Sequence, residues 1–130
     1  MTDPAPTVVL VHGAFAESAS WNGVISGLLD RGHPVVAVAN PLRGVRADAA
    51  HLPAALAALD GDVVLVGHSY GGMVTSNVSD PRPITQSALE EPSTGAAWRT
   101  LPSWFLFGAE DRNIPAEAHR FMGSPARPRR

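Results

Sequence analysis

Apolar residues follow two rhythms along this chain, and their alternation predicts its architecture. Thr7–Val11, Val35–Ala39 and Asp62–Val66 carry nearly unbroken aliphatic runs, the pattern of strands covered on both faces. Between the first two, Trp21, Val24, Ile25, Leu28 and Leu29 recur at helical spacing, with Ser20 placed to cap the start and Gly32 to end it. Between the second and third, the turn sequence PLRGVRAD leads into a helical face of Leu52, Leu56 and Leu59. Pro53 lies inside that face and predicts a later start or a kink, because proline has no N–H to donate.

The third run is followed by SYGGMVTSNV, which reads as a third helix. Strand alternating with helix in this way predicts a parallel sheet with right-handed crossovers and helices on both faces, a three-layer α/β domain. From Asp80 the rhythm breaks. DPRP ends the third helix, residues 84–102 hold at most a short helix, and Ser103–Phe107 reads as a fourth strand. AEDRNIP is then a loop and AEAHRFM a short helix, so one domain is expected over residues 1–122. The remainder, GSPARPRR, has nothing apolar to bury and is expected to be a disordered tail over 123–130.

Composition narrows the chemistry. The chain has 130 residues, 45% of them hydrophobic and 17% charged, with a formal net charge of -2. That suits one soluble domain and supplies no field to attract a polyanion, so nucleic acid is not an expected partner. Cysteine is absent, which removes disulfides, thiolate catalysis and cysteine-bound metals. All ten basic residues are arginines, which removes Schiff-base chemistry and the phosphate-binding lysine of a P-loop. The N-terminus MTDPAP has no basic or long apolar region and no stretch approaches a membrane span, so a cytoplasmic protein without a membrane partner is expected. His12, His33, His51, His68 and His119 show no paired ligand spacing, and neither a metal nor a cofactor is expected.

The candidate chemistry lies where the third strand meets the third helix. Gly67, Ser69 and Gly71 form G-x-S-x-G, and the motif sits at the sharp strand-to-helix turn that lifts a serine hydroxyl above a sheet. HGAF, His12–Phe15, closes the first strand and can aim backbone N–H groups at the same place, with the N–H of Tyr70 as their counterpart. His12, at a strand end beside glycine, reads as a residue that orients its loop. Asp111 follows the end of the Ser103–Phe107 run, where open α/β sheets carry their sites. Asp48, Asp60 and Asp62 read as capping or surface charges.

The segments VLVHGAFAESASW, GHPVVAVANPLRG, VVLVGHSYGG and PSWFLFGAEDRNIP resemble the α/β-hydrolase fold family, in particular its methylesterase and hydroxynitrile lyase branch. The resemblance implies that Ser69 is the nucleophile, that the N–H groups of Ala14 and Tyr70 form the oxyanion hole, and that Asp111 is the acid. It implies an esterase-like reaction on a small ester without cofactor, or proton transfer in a cofactor-free lyase.

Two departures accompany it. The family's histidine follows the acid beyond one further strand; here the residues after Asp111 hold no apolar strand and one histidine, His119, which has the right order but a helical context. His68 precedes the serine and turns away from it, while His33 and His51 lie in segments feeding the opposite end of the strands. The interval from Ser69 to Asp111 is also too short for the core strand and cap that the family places there, and both read as deleted near Ser79–Pro83. The expectation is a truncated α/β-hydrolase whose Asp62–Val66 edge is open to self-association. Two functions remain open: a serine hydrolase whose base is His119 or a partner's residue, and a non-catalytic remnant or small-ligand binding module.

Overall fold

The computed structural model describes residues 3–78 and 101–123, with side chains through residue 121. The chain divides into two compact units, Met1–Gly95 and Ala96–Arg130. The expected deletion near Ser79–Pro83, all but the last two residues of the 84–102 segment expected to hold a short helix, and the tail from residue 124 lie outside the described residues.

In the first unit the strands are β1 (Thr7–Val11), β2 (Val35–Val38) and β3 (Val63–Gly67), parallel and in the order β2-β1-β3. The register sets Val8 beside Val35 and Val64, and Val11 beside Val38 and Gly67. β1 is flanked by a strand on each side, so its aliphatic run is buried throughout, with Val9 and Leu10 at 0% exposure. β2 and β3 have one sheet neighbour each among the described residues, and their side chains are half-buried or exposed.

Helices α1 (Asn22–Asp30), α2 (Val45–Ala57) and α3 (Tyr70–Ser76) alternate with the strands as the hydrophobic rhythm requires. The chain steps from β1 outward to β2 and returns past β1 to β3. Right-handed crossovers therefore place α1 and α2 on opposite faces. Val11, Ala49, Leu52 and Val74 form the buried cluster beneath α2 and α3, with Val38, Tyr70 and Val78 packed against it. The direction of travel reverses at β1, and the crevice above the C-terminal ends of β1 and β3 is the switch point at which such sheets carry sites.

Two local expectations change. Ser20 does not cap α1: residues Ser18–Trp21 form a 3-10 turn, the Ser20 hydroxyl donates to the Glu17 carbonyl at 2.6 Å, and Trp21 occupies the cap position. Ser20 lies inside that turn, one position before the cap, and its hydroxyl is directed back at the Glu17 carbonyl, so its oxygen is not placed to accept the first N–H groups of α1. Gly32 does end the helix, with φ +81 and its N–H on the Leu29 carbonyl at 2.9 Å.

The second unit corrects a larger expectation. Ser103–Phe107 is not a strand among the described residues. An apolar run states that a segment can be buried, but a strand exists only through a ladder with a neighbour. Trp104 is 80% exposed and Leu106 97%. The regular element of this unit is α4, Ala116–Gly123.

Helix α2 runs through Pro53 without stopping. At that position the helix loses the N–H directed at the Ala49 carbonyl and crowds the proline ring against it, a defect costing up to about 3 kcal/mol in a helix interior. Pro53 is exposed, so Pro53→Ala is expected to raise stability by about 1–2 kcal/mol after allowing for the stiffer unfolded chain that proline provides. Urea unfolding should show a higher midpoint at unchanged slope, and a lower midpoint would mean that the ring holds the helix against its neighbours.

Candidate active site

Ser69 joins β3 to α3 with φ 54 and ψ -119. These are the angles of the first central residue of a type II′ turn, a position that glycine normally fills. The turn is closed by the Gly71 N–H donating to the His68 carbonyl at 2.9 Å, and the Gly72 N–H then donates to the Ser69 carbonyl at 2.8 Å to begin the helix. A serine held there carries about 1–3 kcal/mol of backbone strain. Its side chain is exposed and makes no capping hydrogen bond to α3, so the hydroxyl stands above the sheet without an intramolecular role.

The two motif glycines are required by contact. A Cβ at Gly71 would lie 2.2 Å from the Val11 carbonyl oxygen and 2.7 Å from that of His12, and one at Gly67 would lie 2.5 Å from the Gly71 carbonyl oxygen. The first turn of α3 thus crosses directly over the end of β1, which leaves no room for a side chain. The His68 N–H, donating to the Val11 carbonyl at 3.1 Å, ties the same crossing together. Gly13 is drawn into it as well: a Cβ there would meet the Ser69 Cβ at 3.3 Å. The HGAF loop and the serine turn are neighbours through backbone packing, which brings together the segments that carry the Ala14 and Tyr70 N–H groups. Neither is used in a backbone hydrogen bond among the described residues.

Each of these two loops is held from behind by a buried polar pair. His12 is 3% exposed; its Nδ1–H donates to the Gly13 carbonyl at 2.9 Å, and its Nε2 accepts the Asn40 N–H at 2.9 Å. The Asn40 side-chain amide returns a bond to the His12 carbonyl at 3.1 Å. Both ring nitrogens are engaged, which fits a histidine that orients its loop. His68 packs edge-on against Trp21, with centroids 6.4 Å apart.

The second pair was not legible in the sequence. Asp48 is 2% exposed, not a surface charge: one carboxylate oxygen accepts the Arg43 N–H at 3.2 Å, and the other accepts the Tyr70 hydroxyl at 2.5 Å. Burial, and then the bond and charge of Asp48, push the Tyr70 phenol up from 10.0 to about 12, against the lowering effect of the Gly44 N–H. The missing signal was the distance along the chain, since nothing local to Asp48 announces a partner on another helix.

In the second unit the structure brings Asp111 and His119 together. The His119 Nε2 lies 2.9 Å from Asp111 Oδ2, while Asp111 Oδ1 accepts the Asn113 N–H at 2.8 Å and the Ile114 N–H at 3.0 Å. The Ile114 N–H, the His119 ring and the Asn113 N–H hold the carboxyl at about 2, below its ordinary 3.8. The imidazole stacks on Phe107 at 5.2 Å between centroids, and its Nδ1 is buried without a hydrogen-bond partner among the described residues. In serine triads the acid engages Nδ1 and leaves Nε2 for the nucleophile. Here the acid holds Nε2.

Residues 8–92 match the family model described as the alpha/beta hydrolase family, well over half of the chain. The chain belongs to the alpha/beta hydrolase family. It is 34% identical over 84 residues to a carbendazim hydrolyzing esterase of Nocardioides sp. (strain SG-4G), an alignment covering 55% of this chain and 35% of that protein. The chain thus spans about a third of the length of this curated relative. No solved structure matches it. For this hydrolase-family chain the three-stranded sheet is a partial α/β fold. Among its described residues no helix is long and apolar enough to cross a membrane.

The crossing over β1 makes a sharp prediction about neighbouring glycines. Gly71→Ala drives a Cβ into two backbone carbonyls that cannot rotate away, and it should cost about 3 kcal/mol. Gly72→Ala meets the Gly67 carbonyl only at 3.6 Å and should stabilise the helix by up to about 1 kcal/mol. Urea unfolding of both variants checks the pair, and equal effects would mean that α3 does not cross β1 as described.

Proposed function

We propose that Ser69 is the nucleophile of an esterase-like acyl transfer on a small ester, with the N–H groups of Ala14 and Tyr70 as the oxyanion donors. The single observation that carries this reading is the Ser69 backbone, φ 54 and ψ -119, at a turn whose glycines admit no side chain. Strain of this kind persists where the surroundings enforce it and is concentrated at functional positions. Family membership and the esterase relative support hydrolysis as the reaction class.

Attack would form a bond from Ser69 Oγ to the acyl carbon as the carbonyl π pair moves onto its oxygen and the hydroxyl proton passes to solvent water. Collapse of this adduct re-forms the carbonyl, breaks the ester C–O bond and releases the alcohol, which takes a proton from water, and a second water then hydrolyses the acyl-serine. The carbonyl oxygen carries negative charge in the adduct. Two fixed N–H donors stabilise that charge, and removing one such donor typically costs about 10²- to 10³-fold in turnover. Asp111 and His119 are the acid and base candidates. We read them as a clasp for α4, because Nε2 is held by Asp111 and Nδ1 is buried against the packing. Loss of the general base in a serine triad costs about 10⁶-fold in turnover, so chemistry at Ser69 in this chain is slow.

Labelling with a fluorophosphonate probe, located by peptide mass, tests this. Labelling should be slow, abolished by Ser69→Ala and unchanged by His119→Ala. Fast labelling that His119→Ala abolishes would make His119 the base, and labelling spread over other serines would remove Ser69 from the role.

A further inference from the structure

Tyr70 does two things at once. Its backbone N–H stands next to Ser69 at the start of α3, and its side chain reaches back to α2. There its hydroxyl donates to Asp48 Oδ2 at 2.5 Å. Asp48 is itself fixed: its N–H donates to the Gly44 carbonyl at 2.9 Å and its second oxygen accepts the Arg43 N–H at 3.2 Å. Gly44 has φ 138, a conformation closed to ordinary side chains, so the Arg43–Gly44 turn is built to present these groups.

A carboxylate 2% exposed is expensive to bury, and protein interiors retain one only when hydrogen bonds satisfy its oxygens. Asp48 has those bonds, from a backbone N–H and from Tyr70. An apolar residue would fill the same space beside Ala49 and Leu52 without the desolvation cost. What the charged residue adds is direction: a short bond to a ring hydroxyl restrains both torsions of the tyrosine side chain, and through them the first residue of α3, which follows the serine.

We propose that Asp48 is a positioning residue for the oxyanion hole, holding the Tyr70 N–H on Ser69 by anchoring the Tyr70 hydroxyl. The inference rests on the reading of Ser69 as nucleophile. Asp48 touches neither substrate nor reacting atoms. Its action runs through Tyr70, so removing either side-chain partner should have the same consequence, and removing both should add nothing.

The chain contains a single tyrosine, so its ultraviolet titration reports Tyr70 alone. In the wild type the phenol should ionise near 12, and in Asp48→Asn it should ionise lower, keeping the part of the rise that burial causes. At a temperature where every variant is fully folded by circular dichroism, Asp48→Asn should slow fluorophosphonate labelling of Ser69 about tenfold, the scale of a donor moved by a fraction of an ångström. Tyr70→Phe, which keeps the ring and removes only the hydroxyl, should slow it by a similar factor, and the double variant should be no slower than either. Should Asp48→Asn fail to fold, Tyr70→Phe alone decides by the same labelling rate. A purely structural carboxylate would lower the melting temperature and leave the labelling rate of folded protein unchanged, and that result overturns the inference. So does an unchanged tyrosine titration in Asp48→Asn. If the wild type itself is not labelled at Ser69, the nucleophile reading falls and the inference falls with it. Wild-type labelling with an Asp48→Asn rate within twofold removes the inference alone.

Discussion

The site depends on one close approach, the crossing of the first turn of α3 over the carbonyl end of β1. That crossing is possible because Gly71 has no side chain to strike the Val11 and His12 carbonyls, and because Gly67 leaves room for the Gly71 carbonyl. Once the helix starts this close to the strand, the connecting residue must turn within one position, and Ser69 takes the strained angles that result. The serine is therefore exposed by geometry that the sheet imposes, and the β1 packing that buries Val9, Leu10 and Val11 is what maintains the strain.

Two buried polar pairs then convert proximity into aim. His12 with Asn40 ties the HGAF loop to the segment after β2, and Asp48 with Tyr70 ties the start of α3 to α2. Both anchors come from the part of the chain that follows β2, so the stretch of residues 40–48 ties down both segments that meet at the serine turn. Polar pairs suit this task better than apolar packing, because a hydrogen bond fixes an angle as well as a distance.

The sequence announced what local chemistry controls. β1 was readable to the residue from TVVLV, since a strand between two others needs an unbroken apolar run. The glycines at 67 and 71 identified the turn, because a spacing that tight has few other uses. Ser20 was misread because a hydroxyl can bond the turn before it as readily as the helix after it. The apolar run at Ser103–Phe107 could not say whether a neighbouring strand exists. Asp48, which reads in the sequence as a capping or surface charge, is the largest difference: its partner lies 22 positions away, and only the fold brings a helix-borne carboxylate to a tyrosine on the next helix. The Asp111–His119 pair was half legible, since the order of the two residues was visible but not which ring nitrogen the acid would hold.

The central claim is that the Tyr70 N–H faces the oxygen that develops charge when Ser69 is acylated. With one tyrosine in the chain, protein grown with ¹⁵N-tyrosine gives a single amide signal, and that signal is the proposed donor itself. Phosphonylation of Ser69 places a strongly polarised phosphoryl oxygen on a tetrahedral centre where the oxyanion would stand. The Tyr70 amide proton should then move strongly downfield and exchange with solvent more slowly, as a new short hydrogen bond requires. An amide signal unmoved by complete phosphonylation of Ser69 would contradict the account.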